Sequence, residues 1–165
     1  MSVSKVPLGR VVRAIVLAGL AAAVIEMVFV LPIQVQLGNS PAVVFQSIAF
    51  GLLGKAAFND GMASTALGVG VHLLVSLVAA KVFVLAALFW DDVLLRKPVV
   101  SGLVYGAVVY VVMTFVVMPL SAIGYAPQSS LVLIWLSLAV HLFAFGLPIA
   151  LVSKAVLLSR ARAAA

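Results

Sequence analysis

Three ionisable side chains lie inside long apolar runs of this sequence: Glu26, His72 and His141. They are its one glutamate and its two histidines. A charged group at the centre of a membrane helix costs about 2.5–3.5 kcal/mol on insertion scales, so such groups usually have a functional or pairing reason. A carboxylate beside imidazoles can exchange protons or hold a cation, and two imidazoles can ligate a metal ion or a haem. We therefore take these three residues as the candidate ligand-binding site.

The composition indicates that lipid surrounds the helices that carry these residues. Hydrophobic residues make up 66% of the 165 residues and charged residues 8%, whereas soluble domains have about 25% charged residues. The absence of cysteine excludes disulfides, zinc–thiolate sites and iron–sulfur clusters. Apolar runs long enough to span a bilayer predict an all-α, polytopic membrane four-helix bundle, one integral membrane domain over residues 1–165. The predicted transmembrane helices are, in order, about 14–33, 63–90, 99–118 and 131–152.

The segment at about 45–58 is apolar but shorter than the four predicted spans. Its residues, "QSIAFGLLGKAAF", are too few to cross a bilayer and too apolar for a free loop. We predict a re-entrant or interfacial helix here, which could gate a ligand site.

Basic residues predict the orientation of the four helices. Cytoplasmic loops carry an excess of lysine and arginine, so both termini are predicted to be cytoplasmic. Lys81 lies towards the same side, where its stem can extend to the headgroups. Only Lys55 falls on the opposite side. The residues that cluster on the cytoplasmic side are Lys5, Arg10, Arg13, Arg96, Lys97, Lys154, Arg160 and Arg162.

The depths of the polar residues indicate which of them can meet. Glu26 lies about 10 Å below the outer end of its helix, and His72 about 12 Å below the outer end of the next, at 1.5 Å per residue. Lys81 would lie about 25 Å from that end, too far to pair with Glu26. We therefore expect Glu26 to pair with His72, either in a functional site or in a purely structural hydrogen bond.

The two halves of the chain resemble each other. "GLAAAVIEMVFVLP" (19–32) aligns without gaps on "GAVVYVVMTFVVMP" (106–119), and "VHL" occurs at 71–73 and again at 140–142. This predicts two tandem helix pairs in parallel repeat, with Pro32 and Pro119 ending their helices. His72 and His141 would then face each other across the bundle. Such a layout is similar to the haem-binding bundle of b-type cytochromes, which implies one bis-histidine haem b as an alternative.

The segments "FQSIAFGLLGKAAFNDGMASTALGVGVHLLVSLVAA" and "SGLVYGAVVYVVMTFVVMPLSA" resemble small uncharacterised four-helix bacterial inner-membrane proteins, a family of unknown function. The resemblance covers about residues 45–122. It implies a membrane bundle in the bacterial inner membrane and no particular activity. The family often has two glycines where this chain has Asn59, Asp60 and Gly61.

The sequence is compatible with three functions. The first is a small membrane protein that binds or passes a small ligand or ion at Glu26, His72 and His141. The second is a single-haem electron-transfer subunit ligated by His72 and His141, which would also be the metal ligands. The third is a non-catalytic accessory or assembly subunit of a membrane complex. No catalytic motif was found, so an enzyme is not expected. The expected partners are the lipid bilayer and a homo-oligomer or larger membrane complex, and not nucleic acid.

Overall fold

A computed structural model describes residues 6–124 and 130–159 of the chain. The described residues form helices and contain no strand, which confirms the all-α prediction. Within this described part of the chain five helices, rather than four, are long and apolar enough to cross a bilayer, which is consistent with a multi-pass membrane protein. They are α1 (Leu8–Gln36), α2 (Pro41–Phe58), α3 (Gly61–Phe89), α4 (Pro98–Leu120) and α5 (Leu131–Leu157).

Of the two prolines predicted to end their helices, Pro119 does so and Pro32 does not. Helix α1 continues through Pro32 to Gln36, so the prediction that Pro32 ends this helix was wrong. A proline removes one backbone hydrogen bond, and neighbouring groups in a membrane bundle compensate for this loss. Pro119, by contrast, lies next to the last residue of α4, Leu120.

Both later helices widen into a π-helical turn just before a proline. In α4 this turn is Met113–Val117, two residues before Pro119. In α5 it is His141–Gly146, two residues before Pro148. A proline ring clashes with the carbonyl four residues earlier, and a wider turn relieves that clash. The wide turn in α5 begins at one of the candidate site residues.

The bundle neighbours run antiparallel. Helix α1 packs against α3 and α5, and α4 packs against α5. Two contacts between α1 and α3 show the antiparallel direction. A Cβ on Gly19 would lie 2.9 Å from Leu77 Cα, whereas Ala23, later in α1, contacts His72, which is earlier in α3. We call the end of the bundle where α1 finishes the loop end, and the end where α1 begins the basic end.

Small residues bring α1 against its neighbours. Ala14, Ala18 and Ala22 are fully buried at intervals of four residues, which places them on one face of α1. Glu26 is the next residue in this series, so it too faces the bundle interior and is only 8% exposed. The opposite face of α1 carries exposed apolar side chains such as Val24 and Val28, as expected of a surface in contact with lipid.

Helix α2 is fixed to the rest of the bundle at three points. The backbone of Phe45 lies directly against Gly68, where a Cβ would clash with the Phe45 carbonyl. The side chain of Gln46 donates a hydrogen bond to the Gly61 carbonyl (3.1 Å). The amide of Ala122, just beyond α4, donates to the carbonyl of Gly51 in α2 (2.9 Å). These contacts attach α2 to α3 and to the loop end of α4.

Candidate functional site

The carboxyl group of Glu26 lies between the two histidine rings. His72 Nε2, from α3, is 4.0 Å from Glu26 Oε2. His141 Nε2, from α5, is 3.9 Å from Glu26 Oε1. All three side chains are at least four-fifths buried. The structure therefore brings the three predicted residues together, with Glu26 between the histidines rather than beside only one of them.

Backbone carbonyls determine which nitrogen of each neutral histidine carries the proton. His72 Nε2 donates a hydrogen bond to the Ala23 carbonyl of α1 (3.1 Å). His141 Nδ1 donates to the Ser137 carbonyl in its own helix (2.8 Å). A carbonyl oxygen can only accept, so each of these nitrogens must carry a hydrogen. In the neutral rings, His141 Nε2 is therefore left as an acceptor that faces Glu26.

The cluster is consequently rich in hydrogen-bond acceptors. An ionised Glu26 contributes two oxygens and His141 contributes Nε2, whereas the Nε2–H group of His72 is already bonded to Ala23. The separations of 3.9 and 4.0 Å exceed the 2.7–3.2 Å of a direct N–H···O hydrogen bond. A water molecule or a small donor can bridge groups at such separations.

His141 is held in place by α4 as well as by its own helix. The ring of Tyr110 meets the His141 ring edge-on, with centroids 5.4 Å apart. Gly106 lies so close to the His141 backbone that a Cβ there would be 2.9 Å from the His141 carbonyl carbon. The orientation of this ring thus depends on close packing between α4 and α5.

A cavity of about 380 Å³ leads from the loop end to this cluster. Glu26 and His141 line its deep end. Gln34 and Asn39 line its mouth, where the Asn39 side-chain amide donates to Gln34 Oε1 (2.8 Å). We call this cavity the vestibule, and its volume falls in the range of small-molecule sites. Between these polar ends its walls are apolar apart from Ser137: Val30, Ile33, Leu37, Leu133, Leu136 and Val140.

A second cavity, of about 500 Å³, approaches His72 from a different direction. It lies between α1, α2 and α3 and is lined almost entirely by apolar side chains, including Met27, Phe45 and Val69. His72 is its single ionisable lining residue. The cluster therefore has a partly polar approach on the His141 side and an apolar one on the His72 side.

Towards the basic end the interior is filled. Ala18 and Ala22 of α1 and Phe145, Ile149 and Ala150 of α5 belong to one buried core, each at most 3% exposed. The vestibule thus opens at one end of the bundle.

The residues present do not fit a bis-histidine haem. Such a haem needs an Nε2 lone pair from each ring, with the flat macrocycle between the two rings. Here the Glu26 carboxyl lies between the rings, and His72 Nε2 carries the hydrogen that it donates to Ala23. Within residues 6–124 and 130–159, no group of three or more histidine, cysteine or acidic side chains is arranged to hold a metal ion.

No protein-family model, curated protein or solved structure shows significant similarity to this chain. The geometry of the cluster and its cavities is therefore the basis for a functional proposal.

Several residues around the cluster had no signal in the sequence. Gln34 and Asn39 at the vestibule mouth lie near the end of α1. Glutamine and asparagine are common near helix ends, so their presence there does not indicate a site. Tyr110 stands in an apolar run and meets His141 only through the fold. The i, i+4 spacing of Ser137 and His141 was visible, and it predicts that they share a helix face.

Proposed function

We propose that this protein binds a small protonated amine at Glu26, His72 and His141 and passes it across the membrane. The observation that carries the proposal is the set of acceptor atoms, Glu26 Oε1 and Oε2 and His141 Nε2, at the closed end of the vestibule. Acceptors attract donors, and a carboxylate favours a positively charged one. The nearest basic residues on α1, Arg10 and Arg13, lie more than 15 Å away along the helix at its rise per residue.

An ammonium group suits this site better than a bare metal cation. Calcium takes six to eight oxygen ligands, and magnesium needs a near-octahedral set. The cluster supplies two carboxylate oxygens and one imidazole nitrogen. An alkylammonium has up to three N–H donors, and the apolar vestibule walls suit its alkyl part.

We further infer four membrane spans, with α2 as a re-entrant helix. Because α1 and α3 are antiparallel, α3 begins at the end of the bundle where α1 finishes. Residues 37–40 and 59–60 are the only links from α2 to these helices, and four residues reach at most about 14 Å. Both ends of α2 must then lie near the loop end, although its composition would allow it to span. The contact of Phe45 with Gly68, seven residues into α3, supports a descent of about 10 Å into the bundle.

The attachment of α2 argues against a gating role for it. Its contacts at Gly61, Gly68 and Ala122 would all have to break for the helix to swing away. A change of access is better assigned to α5, whose π-helical turn begins at His141, since such turns are frequent at functional sites.

The tandem repeat remains a proposal with mixed support. The two aligned glycines pack directly on the second helix of their pair: Gly19 of α1 on α3, and Gly106 of α4 on α5. The registers differ, however: Gly19 meets Leu77, five residues after His72, whereas Gly106 meets Leu142, one residue after His141.

We also propose a location in the bacterial inner membrane with cytoplasmic termini, which the distribution of basic residues supports. The family resemblance and a homo-oligomer are further proposals, and the short bundle supports the homo-oligomer.

Calorimetric titration of the detergent-purified protein with methylammonium tests the proposal. We expect one site per chain, with binding weakened about tenfold or more by Glu26→Gln, since hydrogen bonds to charged groups contribute about 1.5–3 kcal/mol. Asp60→Asn is the matched control because Asp60 is exposed just before α3, and it should leave binding unchanged.

Equal binding by wild type and Glu26→Gln would contradict the proposed site. Methylammonium flux into liposomes then separates passage from binding alone. If neither binding nor flux occurs while the variants lose stability, the cluster serves helix packing, as in the accessory-subunit alternative.

A further inference from the structure

Another cavity lies at the opposite end of the bundle from the vestibule. It has a volume of about 650 Å³ and lies between the start of α1 and the end of α5. Two arginines of α1, Arg10 and Arg13, line it, together with Ser159 beyond α5. Residues three apart share a helix face, so both guanidinium groups can reach one ligand.

Neither Arg10 nor Arg13 forms an ion pair with a carboxylate of the described residues, and the glutamate of α1, Glu26, lies beside the two histidines instead. Glu26 lies 13 residues farther along α1 than Arg13, about 20 Å away at the helical rise. Pro7 provides no side-chain cap for the first turn of α1, whose amides add further donors at this end. The cavity therefore presents positive charge and hydrogen-bond donors.

We propose that this cavity binds the phosphate headgroup of an anionic phospholipid. Arginine forms paired hydrogen bonds with phosphate oxygens, and basic pockets between membrane helices at the cytoplasmic side accept such headgroups. Next to the lining residues in sequence, three exposed apolar side chains flank the cavity on the two helices and their ends: Leu8, Val12 and Leu158 are 76%, 50% and 44% exposed. These side chains can contact acyl chains while the arginines hold the headgroup. A soluble phosphate compound would gain nothing from this apolar rim.

Gly9 offers a way to test the cavity without changing its charge. A Cβ at Gly9 would meet nothing within 4 Å, so the site has space there. Gly9→Leu should place a side chain in the cavity while Arg10 and Arg13 remain. Because the number of basic residues is unchanged, membrane orientation should be unaffected.

Native mass spectrometry of the full-length protein with added phosphatidylglycerol or phosphatidylcholine provides the test. We expect wild type to retain phosphatidylglycerol preferentially, and Arg10→Gln/Arg13→Gln to weaken retention by about tenfold. Gly9→Leu should also weaken it. The control Arg96→Gln/Lys97→Gln removes the same charge at the α3–α4 connection and should leave retention unchanged.

Equal retention of the two lipids would overturn the proposal, as would equal losses in the test and control double variants. Displacement of phosphatidylglycerol by excess inorganic phosphate would assign the cavity to free phosphate instead. Full retention by Gly9→Leu, with loss in the arginine variant, would show that the charge acts at the membrane surface and not in the cavity. None of these outcomes depends on amine binding at Glu26.

Discussion

Replacing Gly106 by alanine tests whether close packing of α4 on α5 sets the geometry of the site. The added Cβ would lie 2.7 Å from Leu142 Cα and 2.9 Å from the carbonyl carbon of His141. Carbon atoms prefer separations of about 3.5–4.0 Å, so the two helices would have to move apart by about 1 Å. Both obstructing atoms belong to the backbone, so no side-chain rotation can relieve the overlap.

Gly70→Ala is the matched control for this substitution. Gly70 lies within α3, and a Cβ there would meet nothing within 4 Å. Replacing glycine by alanine stabilises a helix by up to about 1 kcal/mol at either position. Overpacking at Gly106 should lower the free energy of unfolding by about 1–3 kcal/mol. The difference in unfolding free energy between the two variants isolates the overpacking cost. We expect Gly106→Ala to be less stable than Gly70→Ala by about 1–3 kcal/mol.

Equilibrium unfolding in mixed detergent micelles, followed by circular dichroism, measures this difference. Gly106→Ala should also weaken methylammonium binding, because the shift moves His141 away from Glu26, whereas Gly70→Ala should not. A Gly106→Ala protein as stable as Gly70→Ala, with normal binding, would refute the α4–α5 packing described above.

Three further substitutions test other contacts by the same unfolding measurement. Gly68→Ala should destabilise by about 1–3 kcal/mol, because its Cβ would clash with the Phe45 carbonyl of α2; wild-type stability would contradict the α2–α3 contact. Tyr105→Phe should lower the free energy of unfolding by about 1 kcal/mol, because the Tyr105 hydroxyl donates to the Ala79 carbonyl at 2.6 Å. An unchanged free energy of unfolding would mean that this hydrogen bond does not stabilise the protein. Ser153→Ala should be neutral or stabilising, because its buried hydroxyl has no hydrogen-bond partner among residues 6–124 and 130–159. A clear loss of stability would contradict this expectation.

The helices could be predicted from the sequence. Long apolar runs leave few alternatives to helices in a bilayer, because every backbone group must be paired there. The depth calculation for Glu26 and His72 also agrees with the structure, since the rise per residue is fixed and the helices are antiparallel. Helix ends were less predictable: α1 continues through Pro32 to Gln36, because a proline inside a membrane helix need not end it.

The arrangement of the site could not be predicted in detail. Two histidines on α3 and α5 were expected to face each other, but the rotation of α1 places Glu26 between them. That rotation depends on contacts of small residues such as Gly19 with Leu77, and many such residues occur in this sequence. The wide turn that begins at His141 lies just before Pro148, but a proline in the sequence does not specify how the helix before it widens. The vestibule is formed by loop and helix residues far apart in sequence.

Nitrogen-15 NMR of the histidine rings tests the acceptor site formed by Glu26 and His141, because the chain has two histidines and hence two sets of ring signals. The structure predicts a neutral His72 protonated at Nε2 and a neutral His141 protonated at Nδ1. Methylammonium at the concentration that half-saturates wild type should shift the His141 Nε2 signal in wild type and in Asp60→Asn, and much less in Glu26→Gln. A His141 ring protonated at Nε2, or no shift on adding the amine, would contradict an acceptor site formed by Glu26 and His141.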